Sequence, residues 1–178
     1  MALPKPKPPF SVNTTRFDPY KNSRFLVFFD PTTDPVAGVS KVGGLKRTTQ
    51  MIPYNEGGKA LTLKGLGRTS YDPITLERGV THDSAFVDWA DCAQKLDQGH
   101  PTQNLVNLRR DIHLVLLNEQ GQQVHRYNVH DAWVSEYQAM SELDAGANAV
   151  VIEHIKVEHQ GWEHDDTLTE PDHAAPPA

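Results

Sequence analysis

Apolar and polar residues alternate in short runs along most of this chain, and one stretch switches to a helical period. The run SRFLVFFD (23–30) sets Phe25, Val27 and Phe29 on one face of a strand and Leu26 and Phe28 on the other. Apolar side chains on both faces predict burial on both sides. DPTTDP (30–35) reads as a turn, and a less regular strand follows over 36–42. ITLERG (74–79) is a short strand. After Thr81 and Asp83, either able to cap a helix, Phe86, Trp89, Ala90, Ala93 and Leu96 recur at helical spacing, and Asp97, Gln98, Gly99 and Pro101 end the pattern. DIHLVLLN (111–118) is a strand, and Glu119 to Gln122 form a hairpin turn.

The longest patterned stretch runs from His125 to Trp162. Tyr127, Val129, Trp133, Val134 and Tyr137 fit a pleated surface, and Val150, Val151, Ile152, Ile155 and Val157 form a second run interleaved with charge. Between them Asp144, Gly146 and Asn148 are turn-formers, so the two strands fold back on each other. The prediction is about six strands and one helix: a mostly β domain, barrel or sandwich, with one packed helix. Strands this long and two-sided need neighbours. A closed barrel manages the sheet edges, and so does pairing with sister subunits.

Residues 43–71 break the pattern. Glycines stand at 43, 44, 57, 58, 65 and 67 among several basic residues, and apolar positions are sparse apart from Met51, Ile52, Leu61 and Leu63. A structureless connection of this length is unusual inside a domain and is functional or disordered where it occurs. The favoured expectation is an extended hairpin that reaches a neighbouring molecule.

The ends differ again. Residues 1–20 carry Pro4, Pro6, Pro8, Pro9 and Pro19 and read as an extended, partly flexible arm. Residues 166–178 are acidic and proline-containing and read as a disordered tail. The domain between them is expected to span 21–165. The lysines near the start precede no apolar core, so no secretory signal is expected, and no apolar run reaches the roughly 20 residues that cross a bilayer. A net charge of −6 argues against general nucleic-acid binding. The single cysteine, Cys92, excludes an internal disulfide and fits a reducing compartment.

Candidate chemistry is thin. Nine histidines invite a metal reading, with Glu153-His154, Glu158-His159 and Glu163-His164 the best cluster. A five-residue step on a strand sends His154 and His159 to opposite faces, and His125 and His130 likewise, so neither pair can share an ion. No HExxH or spaced Cys/His set is present, and no metal or other cofactor is expected. Ser135 lies mid-strand without a nucleophile elbow, so packing or hydrogen bonding is its expected role. Cys92 sits near the helix's buried stripe and is expected to fill space. VGGLKRTT and KGLGRTS lack the phosphate-loop spacing and a following helix. Their Lys46, Arg47, Lys64 and Arg68 are expected to pair with carboxylates, within the subunit or across an interface. No enzyme activity is expected.

Four segments carry a family likeness: RFDPYKNSRF (16–25), AGVSKVGGLKRTT (37–49), GRTSYDPITLERGVTHDSAFVDWA (67–90) and WVSEYQAMSELDAGANAVVIEHIKVEHQGW (133–162). Together they resemble the tail-tube proteins of contractile phages, and more closely the inner-tube subunits of phage-tail-like contractile injection systems. The resemblance covers roughly residues 16–165. ITLERGVTHD before a Phe-x-x-Trp-Ala helix is its most distinctive run, with WVSEYQA and IEHIK.

The resemblance implies a structural virion or particle component with a barrel-like β core, one flanking helix and a long extended loop. Such subunits form hexameric rings, and the rings stack into a hollow tube that serves as conduit and piercing element. Its implied partners are the sheath, the baseplate and spike, a tube terminator and cargo in the lumen. Assembly is expected in the cytoplasm, inside a particle that is released or retained. By position, Lys46, Arg47, Glu56 and Arg68 are candidate inter-ring contacts, helix 84–97 packs on the barrel exterior, and strands within 123–159 line the lumen. His154, Lys156 and Glu158 share one face, opposite Val151, Ile155 and Val157, and are the candidate lumen-lining set. The alternative, that this polar face meets outside solvent or the sheath, stays open. A baseplate-proximal or tube-end adaptor of the same fold is the nearest other reading. From another class, a β-barrel ligand-binding module or enzyme requires a pocket lined by several histidines and predicts a monomer.

Overall fold

In a computed structural model of the chain, which describes residues 19–30, 34–36, 38–55, 57, 62–99, 108–146 and 148–168, nine strands and one helix follow in order. They are β1 (Phe25–Phe29), β2 (Val39–Val42), β3 (Arg47–Tyr54), β4 (Leu63–Tyr71), β5 (Ile74–Gly79), α1 (Ala85–Asp97), β6 (Arg110–Leu117), β7 (Gln123–Gln138), β8 (Ile152–Glu158) and β9 (Gly161–His164). The expected arm and tail lie outside the described residues except for 19–20 and 166–168.

Seven strands form one sheet. Six of them run in the order β1-β6-β7-β8-β5-β2, and β9 pairs with β7 off that path. Every pairing is antiparallel. The sixteen-residue β7 makes this possible by serving two layers. Its first half pairs with β6 and β9, and its second half, from Trp133, pairs with β8. The change occurs at a bulge, where Arg110 faces Ala132 but Ile112 faces Val129. Asp131 takes up the extra residue at φ 51°, and its backbone N–H donates to Asp111 Oδ1 at 2.9 Å. A bulge of this kind bends and twists the strand, so one strand turns the corner between layers.

The two layers bury a common core. Val27 and Phe29 of β1, Ile112 of β6, Val129, Ala132 and Val134 of β7, Ile155 and Val157 of β8, and Ile74 and Leu76 of β5 are all buried in it. From α1, Phe86 and Trp89 insert into the same cluster, with Phe29 ring-to-ring 4.7 Å from Trp89 and 6.1 Å from Phe86. The helix therefore completes the core. It flanks the β core, as expected, with Phe86 and Trp89 turned into it. The Trp89 indole N–H donates to the Leu108 carbonyl at 2.9 Å. At the helix start, Asp83 accepts the Ala85 N–H at 2.7 Å, so of the two candidate caps it is Asp83 that meets the helix backbone.

The core is barrel-like but open, because among the described strands the path ends at β1 and β2. Three strands exceed the predicted tally. Two are β3 and β4, the expected extended hairpin. The third is β9, because the run 150–162 is interrupted at His159 and Gln160. Gly161 restarts it at φ 154°, with the Tyr71 ring 3.2 Å from where a Cβ would stand.

Candidate functional site

The segment 43–71 folds as a two-stranded sheet separate from the main one. All eight residues of β3 are exposed. Met51 (53% exposed), Ile52, Tyr54 and Leu66 (89% exposed) present apolar side chains to solvent. Across the pair Met51 stands opposite Leu66 and Ile52 opposite Gly65, so both faces carry exposed apolar groups. At the bulge after Thr49, a Cβ on Gly67 would come 2.8 Å from the Gln50 carbonyl oxygen, so only glycine fits there.

The hairpin is anchored at its base. Lys46 Nζ contacts Asp72 Oδ2 at 2.7 Å, Arg47 lies 5.8 Å from the centre of the Trp162 ring, and His159 Nε2 meets the Asp72 carbonyl at 3.1 Å. Thr49 and Thr69 share a hydroxyl hydrogen bond of 2.9 Å across the strands. Of the four inter-ring candidates, Lys46 and Arg47 are thus occupied at the base. Arg68 lies exposed farther along β4, and Glu56 falls outside the described residues.

The lumen candidates lie on β8, whose burial alternates strictly. Glu153, Ile155 and Val157 point inward, and Ile152, His154, Lys156 and Glu158 outward. Neighbouring strands extend the outward face: Gln138 pairs with His154, Glu136 with Lys156, Glu77 with His154 and Thr75 with Lys156. His154 Nε2 lies 3.7 Å from Glu136, and Lys41 bridges Glu77 at 2.6 Å. The result is a mixed-charge polar sheet face. Ser135 donates to the Lys156 carbonyl at 3.1 Å, the structural role expected of it.

A buried ion pair went unnoticed in the sequence. Arg78 is fully buried, and its Nε contacts Glu153 Oε1 at 2.6 Å. Its Nη2 donates to the Asp83 carbonyl at 2.5 Å, Nη1 lies 3.3 Å from Asp83 Oδ1, and the guanidinium sits 4.2 Å over the Phe86 ring. Tyr137 donates to Glu153 Oε2 at 3.2 Å, and burial followed by the Glu153 charge raises its pKa. The signal was present: Arg78 follows Ile74 and Leu76 on the inward face of β5, and Glu153 precedes Ile155 and Val157 on that of β8.

The histidines do not converge on an ion: among the described residues no group of three metal-ligating side chains assembles. His125 Nδ1 lies 2.8 Å from His164 Nε2, and His164 Nδ1 2.7 Å from Asp166. His130 sits between Asp111 at 3.1 Å and Glu163 at 3.3 Å. Hydrogen bonding to Asp111 raises the His130 pKa against the opposing effect of burial. A cleft of about 820 Å³ opens between β1 and β2, lined by Phe25, Val39, Val42, Leu114, Tyr127 and Trp162 among others. Among the described residues that line it there is no histidine, so it does not match the pocket that a histidine-based site requires.

Comparison with known proteins decides what this arrangement serves. Residues 21–163 match the family of the T4-like virus tail tube protein gp19. The chain belongs to this family. A chain in the cryo-EM structure of the anti-feeding prophage (AFP) baseplate, solved with 6-fold symmetrisation, is 26% identical at a TM-score of 0.69, covering 84% of this chain and 97% of that one. The AFP tube-terminating cap matches at 21% identity and TM-score 0.69, over 86% and 95% of the two chains. A chain of the sheath–tube complex of the extracellular contractile injection system PVC matches at 21% and 0.67, over 83% and 91%. At that identity the last two speak for the fold. No curated protein sequence matches the chain significantly. This tail tube protein is a structural subunit of a phage-tail-like contractile system and not an enzyme. No helix among the described residues is long and apolar enough to cross a membrane.

Proposed function

We propose that this tail tube protein closes into sixfold rings through its open sheet edges, and that the rings stack into the hollow inner tube of a contractile particle. The observation that carries the stacking is the β3–β4 hairpin. Two strands alone are marginal in water, yet this pair stands apart from the main sheet with apolar side chains exposed on both faces. Such a surface suits a second copy of the chain. Arg68 and Glu56 would make inter-ring ion pairs, while Lys46 and Arg47, also candidates for that contact, would act at the base against Asp72 and Trp162. The mixed-charge face with His154, Lys156 and Glu158 would line the lumen, where alternating charge lets cargo slide without sticking. Domain 21–165 would be the tube unit, with residues 1–20 and 166–178 as appended arm and tail. Sheath, baseplate with spike, and a terminator are the partners this role implies, with assembly in the cytoplasm before the particle is released or retained.

A second reading, a baseplate-proximal ring that starts the tube, draws on the 26% identity to a chain of the AFP baseplate. Negative-stain microscopy with light scattering on the purified protein tests both. Stacked rings with a central hole support the tube unit, single rings the adaptor, and a monomer at every concentration refutes both. Replacing residues 48–69 with a short Gly-Ser linker, above the Arg47–Tyr71 base, should leave rings and abolish stacking. Tubes of normal length from that variant would refute the hairpin's role.

A further inference from the structure

The hairpin leaves the main sheet at the end where Ile74 pairs with Val157. At the other end of the same sheet, Gly79 pairs with Ile152 and Gln138 with His154, and there the β7–β8 connection projects. The two ends are about 17 Å apart along the six residues of β5.

That connection is more than a turn. Met140 (54% exposed), Leu143, Val150 (74% exposed) and the adjacent Val80 present apolar side chains to solvent. Val80 is tied to it by a hydrogen bond from its backbone N–H to the Val151 carbonyl at 3.0 Å. A hollow of about 380 Å³ opens among these residues, lined by Ser141 to Ala145 and Ala149 to Val151. The connection is held in shape: Ser141 Oγ accepts the Ile152 N–H at 3.2 Å, Asp144 Oδ1 accepts the Gly146 N–H at 2.8 Å, and Gln138 Nε2 donates to the Met140 carbonyl at 2.9 Å. A preorganised surface binds without a large ordering cost.

Charge decides the partner. Among the described residues of the connection the charged side chains are Glu142 and Asp144, both acidic. Among those from 46 to 72 they are Lys46 with its partner Asp72, and the basic Arg47, Lys64 and Arg68, a net positive set. One end of the sheet thus carries an apolar surface with negative charge, and the other an apolar surface with positive charge.

We infer that the β7–β8 connection is the receptor for the β3–β4 hairpin of a copy in the adjacent ring, with Met51, Ile52, Tyr54 and Leu66 meeting Met140, Leu143, Val150 and Val80. Glu142 and Asp144 face Lys64 and Arg68 across that contact. The pairing rests on the stacking proposed above and supplies its missing half. A contact between two different surfaces at opposite ends is head-to-tail, and along an axis it does not close, so it builds a stack of any length. One self-complementary end alone would instead pair rings two by two and stop.

The test uses the full-length protein and charge exchange. Glu142→Lys with Asp144→Lys should yield single rings in place of tubes, and adding Lys64→Glu with Arg68→Glu should restore tubes. Cross-linking gives an assembly readout independent of those variants. In a Cys92→Ser background, Leu143→Cys and Met51→Cys proteins are assembled together and treated with a short bismaleimide. Mixed dimers are expected from the mixture and from neither protein alone. Normal tubes from the charge-reversed protein together with no mixed dimers would overturn the pairing while leaving the tube reading intact. A wild-type protein that never stacks would overturn the stacking itself.

Discussion

Breaking the Arg78–Glu153 pair from one side should cost more than removing both partners. The guanidinium and carboxylate are 1% and 6% exposed and 2.6 Å apart, and the same guanidinium holds the Asp83 carbonyl beside the start of α1. Glu153→Leu leaves a buried cation with only the partly exposed Asp83 as counter-charge. Stranding a buried charge in this way costs about 3–5 kcal/mol. In Arg78→Met/Glu153→Leu no charge is left inside, and such apolar replacements are neutral to stabilising by about 1–4 kcal/mol. Tyr137 and the Asp83 carbonyl each lose a partner in the double variant, which returns about 1–3 kcal/mol per group if water cannot reach it. At the middle of these ranges the order is Glu153→Leu least stable and the double variant intermediate or near wild type, so the losses of Glu153→Leu and Arg78→Met should sum to more than the loss of the double variant. Urea unfolding measures these losses, in the background with residues 48–69 replaced so that stacking adds nothing to apparent stability. By temperature, at about 2–4 °C per kcal/mol for a domain of this size, Glu153→Leu should melt about 6–20 °C lower. Losses that simply add, within about 0.5 kcal/mol, would refute the view that the two charges depend on each other.

Three further outcomes follow from local geometry. Asp131→Gly should be close to neutral because φ 51° suits glycine, whereas Asp131→Val should cost about 1–2 kcal/mol in the same urea assay and loosen the turn of β7 between layers. The His130 ring should titrate above 6.5 by NMR, and Asp111→Asn should bring it down. A histidine raised on folding contributes its full stability below pH 6.5 and loses it as pH rises through the raised value, so His130→Gln should flatten the stability profile in that interval. Asp111 acts in the opposite direction: against the upward push of burial, its bonds from the Asp131 N–H and His130 hold it below 3.8, and its contribution fades only as pH falls through that lowered value. For the lumen, Lys156→Cys in a Cys92→Ser tube should react with a small maleimide and resist a polymer-linked one, and equal labelling by both would place this face outside.

What the sequence revealed and what it hid divide along a physical line. β5, α1 and the strands around the Gln122 turn were readable because each carries its own period and its own stop signals. The polar face of β8 was readable too, since strict alternation survives in IEHIKVE. Two features were missed because they need partners from elsewhere in the chain. Arg78 and Glu153 each fall on the inward alternation of their strand, but only the antiparallel register places them opposite each other inside the core. The corner in β7 depends on how β6 pairs across Asp131, and nothing in HRYNVHDAW announces a residue at positive φ. The helix was rightly read as a flanking element, but whether the β core it packs on is closed or open was not legible in its apolar positions. The opening between β1 and β2 decides between them.

That opening also bears on why a tube subunit is built this way. A closed barrel has no edges to offer, whereas this sheet ends at β1 and β2 and so keeps hydrogen-bonding groups for lateral neighbours. With the path unclosed, rigidity has to come from elsewhere. The inserted helix, the Arg78 bolt between β5, β8 and the start of α1, and the two-layer strand β7 supply it. In the assembly proposed above, lateral pairing would use the edges and axial pairing the two ends of the sheet, with different chemistry at each. A subunit whose lateral and axial contacts do not compete for the same surface can form rings first and stack them afterwards, the order in which a hollow tube of uniform bore can grow.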